Sequence, residues 1–363
     1  MTLSVQASGG TPTRFRSDLR SSTVVAQSAS LSEADEAQLN DLLRQAQQEI
    51  DASDYASAIA YYQQALQIDR DNARLYSGIG YLQVQQGDYQ LAAENYRQAI
   101  DRDSRNLPFR YGLAHSLFKA ERYDEAVDVY REIIRMAPDE ANAYLGLGGL
   151  LLRQEEYDDA REAYEELVQL APGNAQAHEA IGLLYLSQGD YEAALEPLQR
   201  ALELDPSRSS VYGNLAEIWL AQGNNEQAET ALRRSIRLNP RNGTAQFQLA
   251  EILHNRGDLE QAFIHYEEAV DADPTLVPAQ AALGEMLIER QQYIRAVIAY
   301  RFLTRELPDD AGAHYNLGLA LWGQDQQDAA IRAVRKARRL YERHEDEEGL
   351  ERAEALLDSW NAD

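Results

Sequence analysis

The strongest constraint in this chain of 363 residues is a period of 34. Pro138, Pro172, Pro206, Pro240, Pro274 and Pro308 stand 34 apart. So do Ala58, Ala92, Ala126, Ala160, Ala194, Ala228, Ala262, Ala296 and Ala330. So strict a repeat builds an array of equivalent supersecondary units rather than one globular core. Residues 175–208 show what one unit contains. Two amphipathic helical runs flank the turn Gln188-Gly189-Asp190. The second run stops at Asp205-Pro206, because proline lacks an N–H and its ring blocks continuation. Small residues, Gly182, Ala194 and Ala201, sit where the two helices would touch.

Counted from residue 39, nine units follow without insertion or deletion: 39–72, 73–106, 107–140, 141–174, 175–208, 209–242, 243–276, 277–310 and 311–344. Position 8 of the unit is always small: Ala46, Gly80, Ala114, Gly148, Gly182, Ala216, Ala250, Gly284 and Gly318. Position 17 is aromatic at Tyr55, Tyr89, Tyr123, Tyr157, Tyr191 and Tyr293, and is replaced by Asn225, Leu259 and Gln327. In these residues the chain resembles the tetratricopeptide repeat (TPR) family, whose 34-residue unit is a helix–turn–helix. The resemblance implies an all-α fold, a right-handed α-solenoid (TPR superhelix) of helix–turn–helix repeats. It implies a binding role without naming a ligand.

Composition then excludes classes. A net charge of −26 opposes nucleic-acid binding, which needs a basic face. Cysteine is absent, which removes disulfides, thiolate metal sites and a cysteine nucleophile. No apolar run reaches the roughly 18 residues of a membrane span. Among 34 basic residues only Lys119 and Lys336 are lysine.

The ends depart from the period. Residues 1–32 are rich in Ser, Thr and Gly and carry Arg14, Arg16 and Arg20 against Asp18. A disordered or targeting tail is expected there. Val24 to Ala29 resembles the end of a cleavable signal, but the apolar core of a secretory signal is missing. The expected location is cytoplasmic unless that segment is a cleaved targeting signal. Ser32 followed by Asp35 reads as an N-cap, so the first helix begins near Glu33. Gln45 and Glu49 are polar where later units are mostly apolar, as suits a terminal repeat. Pro108 and Pro278 fall in a first helical turn, whereas Pro197 lies inside a second helix and should remove one of its bonds. Residues 33–344 form the array, and 345–363 are predicted to cap it through Leu350, Ala353, Leu357 and Trp360. The basic run Arg332, Arg335, Lys336, Arg338, Arg339 and Arg343 is expected to pair along its helix surface.

No motif for catalysis appears: no phosphate loop, dinucleotide glycine pattern, nucleophile elbow or HExxH spacing. His178 and His314, at position 4, read as packing residues. The chain is expected to be no enzyme and to need no cofactor. Positions 2, 5, 9 and 13 of the first helix lie opposite its packing face. The family resemblance makes that side the concave surface where partners bind. Units 2–4 place Arg74, Tyr81, Tyr111, His115, Lys119, Leu145 and Arg153 there. Units 6–8 place Glu217, Glu251, Glu285 and Glu289 there. The expected function is a non-catalytic adaptor, scaffold or assembly factor that binds an extended segment of one or more proteins. Its acidic or C-terminal carboxylate group would meet Lys119, Arg153 and Arg74, and its basic stretch the glutamates. The alternative is an acidic-groove divalent-metal-binding carrier or a chaperone for an assembly process. Two known TPR chemistries do not fit. The chaperone carboxylate clamp needs Lys at position 5, which no unit has, and the asparagine ladder at position 6 is met only by Asn214 and Asn316.

Overall fold

The computed structural model describes residues 31–361, and the tail expectations for 1–30 fall outside them. The described residues are helical throughout and contain no strand. They form two compact units, one ending at Leu204 and the other beginning at Asp205. The first holds α1 (Glu33–Asp51), α2 (Tyr55–Ile68), α3 (Ala73–Gln86), α4 (Tyr89–Arg102) and α5 (Leu107–Lys119). It continues with α6 (Tyr123–Met136), α7 (Ala141–Arg153), α8 (Tyr157–Leu170), α9 (Ala175–Ser187) and α10 (Tyr191–Leu204). The second holds α11 (Ser209–Ala221), α12 (Asn225–Leu238), α13 (Gly243–Arg256), α14 (Leu259–Ala272) and α15 (Val277–Glu289). It ends with α16 (Tyr293–Glu306), α17 (Ala311–Trp322), α18 (Gln327–Arg343) and α19 (Glu347–Asn361). Each unit is a stack of helical hairpins, and the fold class is an α-solenoid.

Helix starts are written locally. Ser32 Oγ accepts the Asp35 N–H at 3.2 Å and opens α1. Asn106, Asn174, Asn242 and Asp310 cap α5, α9, α13 and α17 in the same way. Such caps contribute about 1 kcal/mol each. Second helices begin at position 17 whether it holds tyrosine or Asn225, Leu259 or Gln327. What sets that start is the residue two before it. Position 15 is left-handed in every hairpin: Gly87, Gly189, Gly223 and Gly257, but also Ser53, Glu121, Glu155, Gln291 and Asp325, with φ from 58° to 88°. Pro108 and Pro278 occupy first turns, and α10 runs unbroken through Pro197.

Packing follows the small residues. All nine alanines at position 20 are 0% exposed, so nothing larger fits where first and second helices cross. A Cβ on Gly318 would lie 3.2 Å from the Ala330 carbonyl. Position 4 does more than pack. His178 Nε2 meets the Pro172 carbonyl at 3.1 Å, and His314 Nε2 the Pro308 carbonyl at 3.1 Å. Gln246 and Gln280 donate to Pro240 and Pro274, at 3.2 and 3.0 Å, and Arg110 to Ser104 at 2.5 Å. His314 is buried, as expected of a packing residue, whereas His178 is only half-buried, and both also act as polar latches on the turn between hairpins. Burial first, opposed by the Pro308 bond, holds the His314 imidazole below its usual value, which keeps it neutral.

At the C-terminal end, Ala353 and Leu357 are buried, and Trp360 stacks on Trp322 with centroids 4.2 Å apart and rings 1° from parallel. The expected pairing along α18 is corrected. Arg338 and Arg343 reach Glu354 and Asp309, on other elements, at 3.6 and 3.5 Å. Arg332, Arg335, Lys336 and Arg339 form no ion pair among the described residues. The helix offers six basic residues only two acids, Asp328 and Glu342.

Candidate functional site

In the first compact unit, Tyr111, His115 and Lys119 recur every four residues on α5 and share one helix face. Tyr111 and His115 are half-buried and Lys119 is exposed. Tyr111 meets Tyr130 of α6 edge-on at 6.1 Å. Burial, then the Glu140 carboxylate, push the Tyr111 phenol well above its usual value. Burial and then Lys119 hold the His115 imidazole low, so at neutral pH it is an uncharged hydrogen-bonding group. Leu145 and Tyr81 are half-buried and Arg74 exposed. Arg153 is exposed, but its guanidinium lies over the rings of Tyr123 and Phe118, at 5.0 and 5.9 Å. It is anchored beside Lys119 by aromatic faces, a contact of about 0.5–1 kcal/mol.

The floor of this face comes from residues that position counting overlooked. A Cβ on Gly112 would lie 2.3 Å from the Tyr96 ring, and one on Gly146 2.4 Å from Tyr130. Glycine at position 6 thus admits the tyrosine at position 24 of the preceding repeat. The signal was present as Tyr62, Tyr96, Tyr130 and Tyr164, again 34 apart.

In the second compact unit the equivalent face is acidic. Glu251 accepts a hydrogen bond from the Tyr266 hydroxyl. Burial raises the Glu285 carboxyl, Glu289 and Glu251 add to the rise, and His254 opposes it. Those three glutamates therefore lie within electrostatic reach of one another. Glu217 stands apart, its carboxyl raised by burial alone. Tyr300 accepts from Asn316 Nδ2 at 3.0 Å. Among the described residues no group of three or more His, Cys, Asp or Glu is placed to hold a metal ion, so the metal-carrier alternative gains no site. No helix among them is long and apolar enough to cross a membrane.

The sequence matches the family model described as the C-terminal domain of cilia and flagella-associated protein 70 over residues 106–314. It matches the tetratricopeptide repeat protein 21 C-terminal ARM domain over 10–142 and a tetratricopeptide repeat over 311–344. No curated protein matches it significantly. Among solved structures, a tetratricopeptide repeat protein from Parabacteroides merdae is similar at TM-score 0.58 and 16% identity, over 68% of this chain and 98% of that one. The hetero-tetramer Cut9-Hcn1 gives TM-score 0.52 at 15% identity, over 87% of this chain and 76% of that one. The human IFIT1 dimer with m7Gppp-AAAA gives 0.51 at 17%, over 79% and 68%. At these identities the likeness carries the fold.

Proposed function

The chain belongs to the tetratricopeptide repeat family, and on that footing we propose that it is a non-catalytic adaptor whose first-helix faces bind extended protein segments. The observation that carries the reading is the stripe Tyr111, His115 and Lys119. A half-buried aromatic floor ends in an exposed cation, with Arg153 stacked beside it. Such a surface suits an extended segment that presents apolar side chains next to a carboxylate. The acidic face around Glu251 and Glu285 suits a basic segment instead. Charge matching of this kind sets register and encounter rate more than affinity. The face has half-buried titratable groups, but no nucleophile is paired with a base, so it is suited to recognition rather than turnover.

The test is photo-crosslinking from position 145 of the full chain in an extract, followed by titration of the segment identified. Lys119→Glu/Arg153→Glu should weaken that segment by about 1–3 kcal/mol at low salt, and less at high salt. Glu251→Gln should affect only basic segments. If both variants bind like the parent, the partner uses other helices and the reading fails.

A further inference from the structure

The second helices carry a solvent-facing stripe at positions 18, 22, 25 and 29, spaced to share one face. On α8 and α10 it is acidic: Asp158, Glu162 and Glu165, then Glu192, Glu196 and Glu203, with no basic residue. On α16 it reads Ile294, Ile298, Arg301 and Arg305, and on α18 Asp328, Arg332, Arg335 and Arg339, all exposed. Ile294 and Ile298 are the most exposed large apolar side chains among the described residues, at 71% and 66%. The two are successive second helices, and each packs against α17, which lies between them in the chain. Three arginines against one glutamate on α16, and six basic residues against two acids on α18, leave a surplus of six positive charges. The whole chain carries −26. Arg301, Arg332, Arg335, Lys336 and Arg339 nonetheless form no ion pair among the described residues.

We infer that the solvent face of α16 and α18 is a second docking surface, and that its occupant is an acidic amphipathic protein segment. Two apolar anchors about one helical turn apart seat on Ile294 and Ile298, while flanking carboxylates pair with Arg301, Arg332, Arg335 and Arg339. Two independent observations converge on this chemistry. Paired isoleucines at this exposure lose free energy to water until covered. Cations left unpaired in an acid-rich chain await carboxylates from elsewhere.

Other occupants fit less well. The basic surplus is confined to these two second helices. Glu267 of α14 pairs with Arg295 of α16 at 2.6 Å, and the acidic run Glu345 to Glu348 follows α18 directly in the chain. A nucleic-acid strand or a lipid surface extending past it meets those carboxylates, and phosphodiesters give the isoleucines nothing to contact. The chain's own segment 1–30 has more arginine than acid and repels the patch. A second copy offers the acidic stripe of α8 and α10, which has no apolar residue at these positions to cover Ile294.

The surface is separate from the first-helix faces, so its test does not depend on them. Random peptides of about 16 residues, roughly four helical turns, are selected by display on the full chain. Selection runs in parallel on the parent and on Ile294→Ser/Ile298→Ser/Arg332→Glu/Arg335→Glu. The four sites are exposed, and circular dichroism checks that the variant folds. The expected result is parent-specific peptides rich in Asp and Glu around two apolar residues three or four apart, binding the variant about tenfold or more weakly. Lys119→Glu/Arg153→Glu should leave those peptides unaffected. The inference is overturned if parent-specific peptides lack the acidic excess or bind the variant equally well. It is also overturned if the substitutions instead abolish flotation with phosphatidylserine vesicles, binding of single-stranded RNA, or self-association in sedimentation.

Discussion

Tyrosine at position 24 meets two different environments in the two compact units. In the first, Tyr130 lies against Gly146 and Tyr164 against Gly148, where added Cβ atoms would come within 2.4 Å of each ring. Their hydroxyls bond no protein group among the described residues, and burial alone pushes the Tyr130 phenol up to about 12. In the second, Tyr266 donates to Glu251 and Tyr300 accepts from Asn316. Leu198, Leu232 and Val334 fill the same place in other repeats, so the solenoid requires a buried apolar group there and is indifferent to what holds a ring that supplies it. Where a glycine stands opposite, at position 6 of the next repeat as Gly146 or at position 8 of the same repeat as Gly148, shape holds the ring and leaves the face aromatic. Where Glu251 at position 9 of the same repeat or Asn316 at position 6 of the next supplies a polar partner, a hydrogen bond holds it. Binding character is thus set independently of the stack.

Gly112→Ala sets the two environments against each other most directly. Its new methyl would sit 2.3 Å from Tyr96, while the same change at Gly284 leaves 3.0 Å to Tyr300. Overpacking should cost about 1–3 kcal/mol at 112 and clearly less at 284, where improved helix propensity offsets part of it. Hydrogen exchange of the helices around each site reads the difference, and equal losses would refute the shape argument. Next in size, Tyr266→Phe should cost about 1 kcal/mol by leaving the half-buried Glu251 without its donor. Tyr164→Phe should change stability by no more than about 0.5 kcal/mol. Urea unfolding of both variants checks this.

A smaller effect concerns pH. Burial raises the Glu285 carboxyl above its usual 4.5, so the folded chain holds that proton more tightly than the unfolded one. The stabilisation is fully present below 4.5 and is lost as pH rises through the folded value. Glu285→Gln should therefore flatten the gain in urea midpoint between neutral and mildly acidic pH. An unchanged pH profile would show that Glu285 is fully solvated. The smallest change is Glu155→Gly, which relieves a left-handed residue at φ 62° and should stabilise by under about 1 kcal/mol. Gly257 occupies the same turn position at 88°, and Gly257→Glu should lose a similar amount. Thermal melts of the two variants should move in opposite directions.

Features governed by near neighbours along the chain were legible from the amino acids alone. Ser32, Pro108, Pro278 and the small residues at positions 8 and 20 act within one hairpin, and each behaves as its local chemistry requires. The stripe Leu350, Ala353, Leu357 and Trp360 also declared its packing, because a helix face is a local property. What escaped was reach between repeats. Nothing in a single repeat tells that Tyr96 fills the notch at Gly112, or that Gln280 spans six residues back to the Pro274 carbonyl. Arg153 shows the same limit, since its register marks a face but not the rings over which its guanidinium lies. Charge along α18 misled for a related reason: an i, i+4 pattern shows that partners exist, not that there are enough of them.

The latch at position 4 bears on how such a chain can grow. Arginine, histidine and glutamine all reach the same carbonyl, so the joint between hairpins specifies a distance and a donor rather than a side chain. Were residues 141–174 excised, His178 would find the Pro138 carbonyl at the spacing it now has to Pro172. Most other residues would keep an equivalent neighbour, although Tyr130 would meet Ala180 in place of Gly146. Duplication of a repeat would be equally silent. Length can therefore drift by whole repeats during descent without a new joint being invented, and each step adds or removes one strip of surface on which selection can write.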